Sequence, residues 1–182
     1  ANGVKELVIA AMLLSSRKIT EGMAWTQSLK GKGDEVPGLV EKGKGDFVGP
    51  EIMGKTLGVI GLGAIGVMVA NAAVGLGMRV MGYDPYISVE GAWKLSRDVI
   101  KAPNLDALAA ESDYITIHVP LTPETKGLFN KERLSRTKAG ARIINFSRSG
   151  LVDNEAIKAE IAAGRLGAYV TDFPEEELLG LP

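Results

Sequence analysis

The 182-residue sequence predicts an α/β molecule built on a doubly wound, mostly parallel sheet. Three observations carry that reading. From Lys55 onward, strand-like and helix-like segments alternate. The strand-like segments are short continuous apolar runs rather than in-out alternations, as required when helices cover both faces of a parallel sheet. A glycine-rich turn separates the first strand from the helix that follows it.

Val4, Leu7, Val8, Ala11, Met12, Leu14 and Ser15 recur at three- and four-residue spacing, which predicts an amphipathic helix over 3–18 with Asn2 as its N-cap. A shorter helix follows on Ile19, Met23, Trp25 and Leu29. Residues 30–53 are rich in Gly, Lys, Asp and Glu without a period and read as a surface loop. The core proper spans 55–175. Its strands are read at Thr56 to Ile60, Arg79 to Tyr83, Tyr114 to Val119, Ala141 to Phe146 and Gly167 to Thr171. Its helices are read at Ile65 to Leu76, Asn104 to Glu111, Lys131 to Lys138 and Asn154 to Ala163. There is no internal repeat.

Composition excludes several function classes. The 21 basic and 22 acidic residues nearly cancel, which argues against a nucleic-acid binder, since such a protein needs cations to neutralise phosphates. With no Cys and a single His, His118, neither a thiolate nucleophile nor a multi-His metal site is available, and no metal is expected. Val4 to Leu14 is interrupted by Lys5 and Glu6 and is too short for a membrane span, and its charges lie on the wrong side for a signal peptide, so a cytoplasmic location is expected.

The segment Leu57 to Gly66 carries G-x-G-x-x-G at Gly61, Gly63 and Gly66, where a strand ends and a helix opens. Gly61 permits the tight turn, Gly63 lets backbone approach a pyrophosphate, and Gly66 lets the helix pack close. The helix N-terminus offers unpaired N–H groups to phosphate. Gly-rich turns without a ligand are common, but Asp84 stands at the end of the second strand, 18 residues past Gly66. A carboxylate there accepts hydrogen bonds from the adenosine ribose and repels a 2′-phosphate. The combination predicts a Rossmann-type domain for NAD rather than NADP. The bland alternative for Asp84 is a turn residue before Pro85.

Ligands in such sheets lie beyond the carboxyl ends of the strands. There the chain reads His118-Val119-Pro120-Leu121-Thr122-Pro123-Glu124-Thr125, then Asn145-Phe146-Ser147-Arg148-Ser149-Gly150-Leu151-Val152-Asp153, then Asp172-Phe173-Pro174-Glu175-Glu176-Glu177. With the glycine turn and Asp84, these segments resemble the D-isomer-specific 2-hydroxyacid dehydrogenases, over nearly the whole chain and in order. The look is nearest to the branch acting on 3-phosphoglycerate in serine biosynthesis. The opening Asn2-Gly3-Val4-Lys5-Glu6-Leu7 resembles the helix that begins the cofactor domain in that family.

The resemblance implies a role for each matching position. Arg148 matches the arginine that holds the substrate carboxylate and polarises the 2-oxo group, a task suited to a planar, permanently charged guanidinium. Glu177 matches the glutamate paired with the acid–base histidine. Asp172 matches the carboxylate near the nicotinamide amide. Ala64 and Ile65 match the loop residues whose backbone meets the pyrophosphate, and Val119, Pro120, Phe146 and Ser147 match positions along the cofactor. A surface ion pair is the plain alternative for Arg148, and a solvated acidic run is the plain alternative for Glu177. His118 matches the His-x-Pro segment, not the acid–base histidine. Its expected part is local hydrogen bonding at the pocket rim.

Several positions depart from the family pattern. Ala64 stands where many members have arginine, Ser149 replaces a glycine and would be strained at positive φ, and Phe173-Pro174 replaces a Val-Phe pair. The Pro-His pair that carries the family's acid–base histidine does not occur. The expectation is therefore an NAD-binding domain over 1–182, without its substrate domain, from an NAD-dependent oxidoreductase acting on a small 2-hydroxy or 2-oxo acid. The 182-residue chain is expected to be inactive alone and to form a homodimer through its first helix, the alternative for that helix being packing on its own domain. A second class, an NAD-sensing binding module of the corepressor type, shares the same motifs.

Overall fold

A computed structural model of the chain describes residues 1–181. Six parallel strands form one sheet: β1 (Thr56–Ile60), β2 (Arg79–Tyr83), β3 (Ile100–Lys101), β4 (Tyr114–Ile117), β5 (Ala141–Asn145) and β6 (Leu166–Thr171). They lie in the order β3-β2-β1-β4-β5-β6, so the chain winds outward from β1 in one direction and then from β4 in the other. That reversal leaves a crevice between the carboxyl ends of β1 and β4.

Strand composition follows from double coverage. Tyr114 and Ile144 face one apolar cluster with α1 (Asn2–Ser16) and α4 (Ala64–Gly75). Their neighbours Ile115, Ile117 and Ile143 face the opposite cluster with α6 (Leu105–Glu111), α7 (Lys131–Ser135) and α8 (Asn154–Ala162). Alternate residues enter different cores, so every position in β1 and β4 is buried.

The helices start where short polar side chains cap them. The side chains of Asn104, Asn130 and Asp153 accept from the N–H groups of Ala107, Arg133 and Ala156 and open α6, α7 and α8. The first helix differs. Ala1 is the N-cap, and the Asn2 amide donates instead to Glu6 Oε1 at 2.7 Å. The helix ends at Ser16, short of residue 18, because Lys18 adopts a left-handed conformation (φ 49°) before α2 (Ile19–Ser28). Val8, Ala11 and Met12 pack it on its own domain.

Two sequence expectations need correction. Residues 30–53 are not a plain loop: they contain α3 (Val36–Gly43), with Pro37 in its first turn, flanked by short 3-10 turns at Gly33–Glu35 and Lys44–Phe47. Trp25 stacks on Phe47 with ring centroids 5.0 Å apart, and this contact between distant residues organises a segment whose composition reads as loop. The second correction lies between β2 and α6, where α5 (Val89–Lys94) and β3 were not anticipated. β3 is a two-residue edge strand exposed at both positions, and it has no apolar run to reveal it. Elsewhere boundaries shift by a few residues, as at β4 and β5, which stop at Ile117 and Asn145. No helix among the described residues is long and apolar enough to cross a membrane.

Candidate functional site

Strand register brings the predicted residues together. Ile60 lies opposite Tyr83 on one side and Ile117 on the other, Ile117 opposite Asn145, and Asn145 opposite Thr171. These five residues form one row across the sheet. The next residue of each strand is therefore Gly61, Asp84, His118, Phe146 or Asp172, and all lie along one carboxyl edge.

At the crevice, Gly61 takes φ 89°, and a Cβ there would stand 2.6 Å from the His118 carbonyl oxygen, so only glycine fits the turn. A Cβ on Gly66 would run into the Gly61 carbonyl oxygen, so the first turn of α4 is seated against the glycine turn. Gly63 faces open space and caps α4 with no side-chain bond. The first helical backbone bond is donated by Val67 N to Gly63 O, which leaves the N–H groups of Ala64, Ile65 and Gly66 free of helical partners.

Asp84 is half-buried at the end of β2. One carboxylate oxygen accepts from Leu62 N and the other from Tyr86 N, both at 2.8 Å. The turn role is therefore real. Each oxygen retains a second lone-pair direction for a ligand hydroxyl. Beside it opens a cleft of about 550 Å³ lined by Leu62, Tyr83, Asp84, Pro85, Ile87, Leu95, Val99, Lys101, Ala102 and Pro103. The far wall comes from β3 and its flanks, which the sequence reading missed; Val99 and Ile100 were the available signal, too short to stand out. Free helix-terminal N–H groups, a bare Gly63, a strand-end carboxylate and an apolar cleft suit the pyrophosphate, ribose and adenine of a dinucleotide.

On the other side of the crevice, Val119 is half-buried against the core and Pro120 is exposed. Thr125 Oγ1 donates to the Pro120 carbonyl at 2.7 Å and steadies the turn that follows. The His118 ring contacts Thr116 Oγ1 through Nε2 at 2.9 Å, and burial lowers its pKa to about 4, so the imidazole is neutral at pH 7. The ring thus makes a local hydrogen bond at the carboxyl edge of the sheet, beside the glycine turn.

After β5, Phe146 packs on the α1–α4 core and Ser147 Oγ donates to the Ile117 carbonyl at 2.7 Å. Arg148 is exposed; its Nη1 donates to the Ser147 carbonyl at 2.6 Å, and it makes no ion pair among the described residues. Ser149 is not strained, since Lys18 is the one non-glycine residue with positive φ among those described. Asp172 is exposed just past β6. Glu177 lies in a 3-10 turn (Glu176–Leu178) and accepts from Asn154 Nδ2 at 3.2 Å, a tie to the start of α8.

The fold and this edge define the class: a doubly wound dinucleotide-binding domain. The sequence model of the family described as "D-isomer specific 2-hydroxyacid dehydrogenase, NAD binding domain" matches residues 9–181, and the chain belongs to that family. It is 38% identical over 177 residues to D-3-phosphoglycerate dehydrogenase of Methanocaldococcus jannaschii, covering 96% of this chain and 31% of that protein. It is 45% identical over 134 residues to D-3-phosphoglycerate dehydrogenase of Synechocystis sp., covering 74% of this chain and 24% of that protein. Among solved structures, D-lactate dehydrogenase from Aquifex aeolicus, complexed with NAD and lactic acid, superposes with TM-score 0.78 at 30% identity, covering 95% of this chain and 48% of that one. The chain thus spans about a quarter to a third of these two curated relatives and about half of the solved one.

Proposed function

We propose that this chain is the cofactor half of a dehydrogenase that moves a hydride between NAD and C2 of a D-2-hydroxy acid, with 3-phosphoglycerate as substrate. One observation carries the reaction class: the glycine turn, Asp84 and the Arg148 turn share one edge of the sheet, astride the crevice between β1 and β4. The substrate is supported by the phosphoglycerate dehydrogenases at 38–45% identity. The fold does not select it, because a lactate dehydrogenase and a formate dehydrogenase both superpose closely, with TM-scores of 0.78 and 0.74.

In this reading Asp84 accepts the ribose hydroxyls, and the N–H groups of Ala64 and Ile65 meet the pyrophosphate. Gly61 and Gly66 shape that turn, and Gly63 leaves room for the phosphates. Val119, Pro120, Phe146 and Ser147 flank the nicotinamide half, with Asp172 toward its carboxamide. NAD, when bound, supplies the nicotinamide carbon that exchanges hydride with the substrate. Arg148 grips the substrate carboxylate and draws charge from the 2-oxo group. Its guanidinium is exposed and held only by the neighbouring carbonyl, so it is available for two oxygens at once. Glu177 orients the histidine that exchanges the hydroxyl proton, and this histidine comes from outside these 182 residues because His118 is held neutral at the rim. The exposed Leu7 and Leu14 of α1 would form the dimer face.

The test is a titration of the 182-residue chain with NADH and NADPH, followed by calorimetry. Clear preference for NADH is the expected result; equal affinity for the two, or binding of neither, overturns the reading. Light scattering checks the dimer.

A further inference from the structure

Asn145 ends β5 with its side chain fully buried, three residues before Arg148, and no role is yet attached to it. Its amide uses both ends. The carbonyl Oδ1 accepts from Ser147 N at 3.1 Å. The amino Nδ2 donates to the Arg148 carbonyl at 2.9 Å and to the Tyr169 hydroxyl at 3.3 Å. The first two bonds close the backbone of the turn that carries Arg148. The third fixes the amide plane from β6, the next strand of the sheet, where Tyr169 lies diagonal to Asn145. Burial raises the Tyr169 pKa, so its oxygen stays a neutral phenol that accepts this bond. Ser147 Oγ, bonded to the Ile117 carbonyl, anchors the same turn to β4 on the other side.

A buried amide is costly unless every polar atom finds a partner, and a hydrophobic residue would fill the end of a parallel strand more simply. Here both polar atoms bond one short turn, and Nδ2 also reaches Tyr169 on β6. Beyond the Ser147 anchor, the Arg148 end of the turn is lightly held: Arg148 has extended dihedrals and no ion pair among the described residues, and the backbone bond from Leu151 N to the Arg148 carbonyl is long at 3.4 Å. The same Arg148 carbonyl is the one that Asn145 holds at 2.9 Å.

We propose that Asn145, locked by Tyr169, is a positioning residue that sets the backbone of the Ser147–Arg148 turn and thereby the aim of the Arg148 guanidinium. The assignment rests on the reading of Arg148 as the carboxylate anchor. A group that grips substrate gains most when its support is rigid, since a displacement of an ångström lowers rate by orders of magnitude. In this proposal Asn145 and Tyr169 act through the turn, since the bonds of the Asn145 amide go to Ser147, Arg148 and Tyr169. In the dehydrogenase that carries this domain, their loss appears as a higher KM for the 2-oxo acid with NAD affinity retained.

The test uses the isotope-labelled 182-residue chain and its Asn145→Ala and Tyr169→Phe variants. Amide exchange is followed at Ser147 and at the core residues Ile143 and Ile144, and relaxation is followed at the Arg148 Nε–H signal, assigned by its loss in Arg148→Lys. Asn145→Ala is expected to speed Ser147 exchange about tenfold, the consequence of removing one buried hydrogen-bond partner, and to loosen the Arg148 side chain. Tyr169→Phe is expected to fall between Asn145→Ala and the parent, with Ile143 and Ile144 unchanged in both. Unchanged Ser147 and Arg148 signals in both variants overturn the proposal. So does a speed-up shared equally with Ile143 and Ile144, which marks a general loss of stability. If Asn145→Ala fails to fold, Tyr169→Phe decides alone. Exchange at the turn is read without cofactor, so a chain that failed to bind NADH would refute the functional reading and leave this result standing.

Discussion

Asp84 holds two backbone N–H groups before any ligand arrives, one from the glycine turn and one from its own loop. Its replacement by alanine therefore combines two effects. Asp84→Ala leaves Leu62 N and Tyr86 N without a charged acceptor, which costs about 1–3 kcal/mol, read as a lowered urea midpoint. It also removes the repulsion of a 2′-phosphate, so the NADH-to-NADPH affinity ratio should fall toward unity in the same preparation; an unchanged ratio would separate Asp84 from the ribose. His118 supports a second expectation. Burial lowers its pKa in the folded chain from 6.5 to about 4, so the unfolded chain binds its proton more readily in that window. Stability is then complete above pH 6.5 and declines as pH falls toward 4, by at most about 3 kcal/mol from this group. The difference between the parent and His118→Gln isolates it from the carboxylates, which are common to both. Equal pH dependence in the two would show that the ring charges without penalty.

Among the elements, α4 is the one on whose placement the proposed cofactor site depends. Its first turn rests on the Gly61 carbonyl with no space for a side chain at Gly66. Gly66→Ala is expected to push helix and turn apart, abolish NADH binding and lower the melting temperature, whereas Gly75→Ala near the end of the same helix meets no neighbour and should leave binding intact. α6 depends on a cap instead: Asn104→Ala removes the bond to Ala107 N and should cost about 1 kcal/mol. Elements also differ in how plainly they can be read from composition. β1 and β2 fall where their short apolar runs place them, because burial is demanded of every residue of β1 and of Val80, Met81 and Gly82 within β2. β3 has no such run, since an edge strand of two exposed residues is defined by its bonds to β2. α3 contains two glycines and a proline among its eight residues and is helical where the Trp25–Phe47 stack gathers the segment, a contact across 22 residues that no local pattern announces.

At the scale of the molecule, the cofactor should act as a folding ligand. NADH at a hundredfold its dissociation constant adds about 2.7 kcal/mol by mass action, a rise in melting temperature that calorimetry registers; no rise would contradict binding to the native state. The 182-residue chain is expected to show no turnover with NADH and any 2-oxo acid, because its one histidine is neutral, half-buried and tied to Thr116. Steady oxidation of NADH by the pure chain would refute that. The turn proposed to meet a dinucleotide was legible in the chain because its demands are local: a left-handed turn needs Gly61, a closely seated helix needs Gly66, and a strand-end carboxylate falls at a set distance in sequence. Register across five strands, the apolar wall supplied by β3 and the Asn145–Tyr169 lock were decided only by the folded sheet. They join residues far apart in sequence, and the pairing of strands is set by the whole core rather than by any one strand's composition.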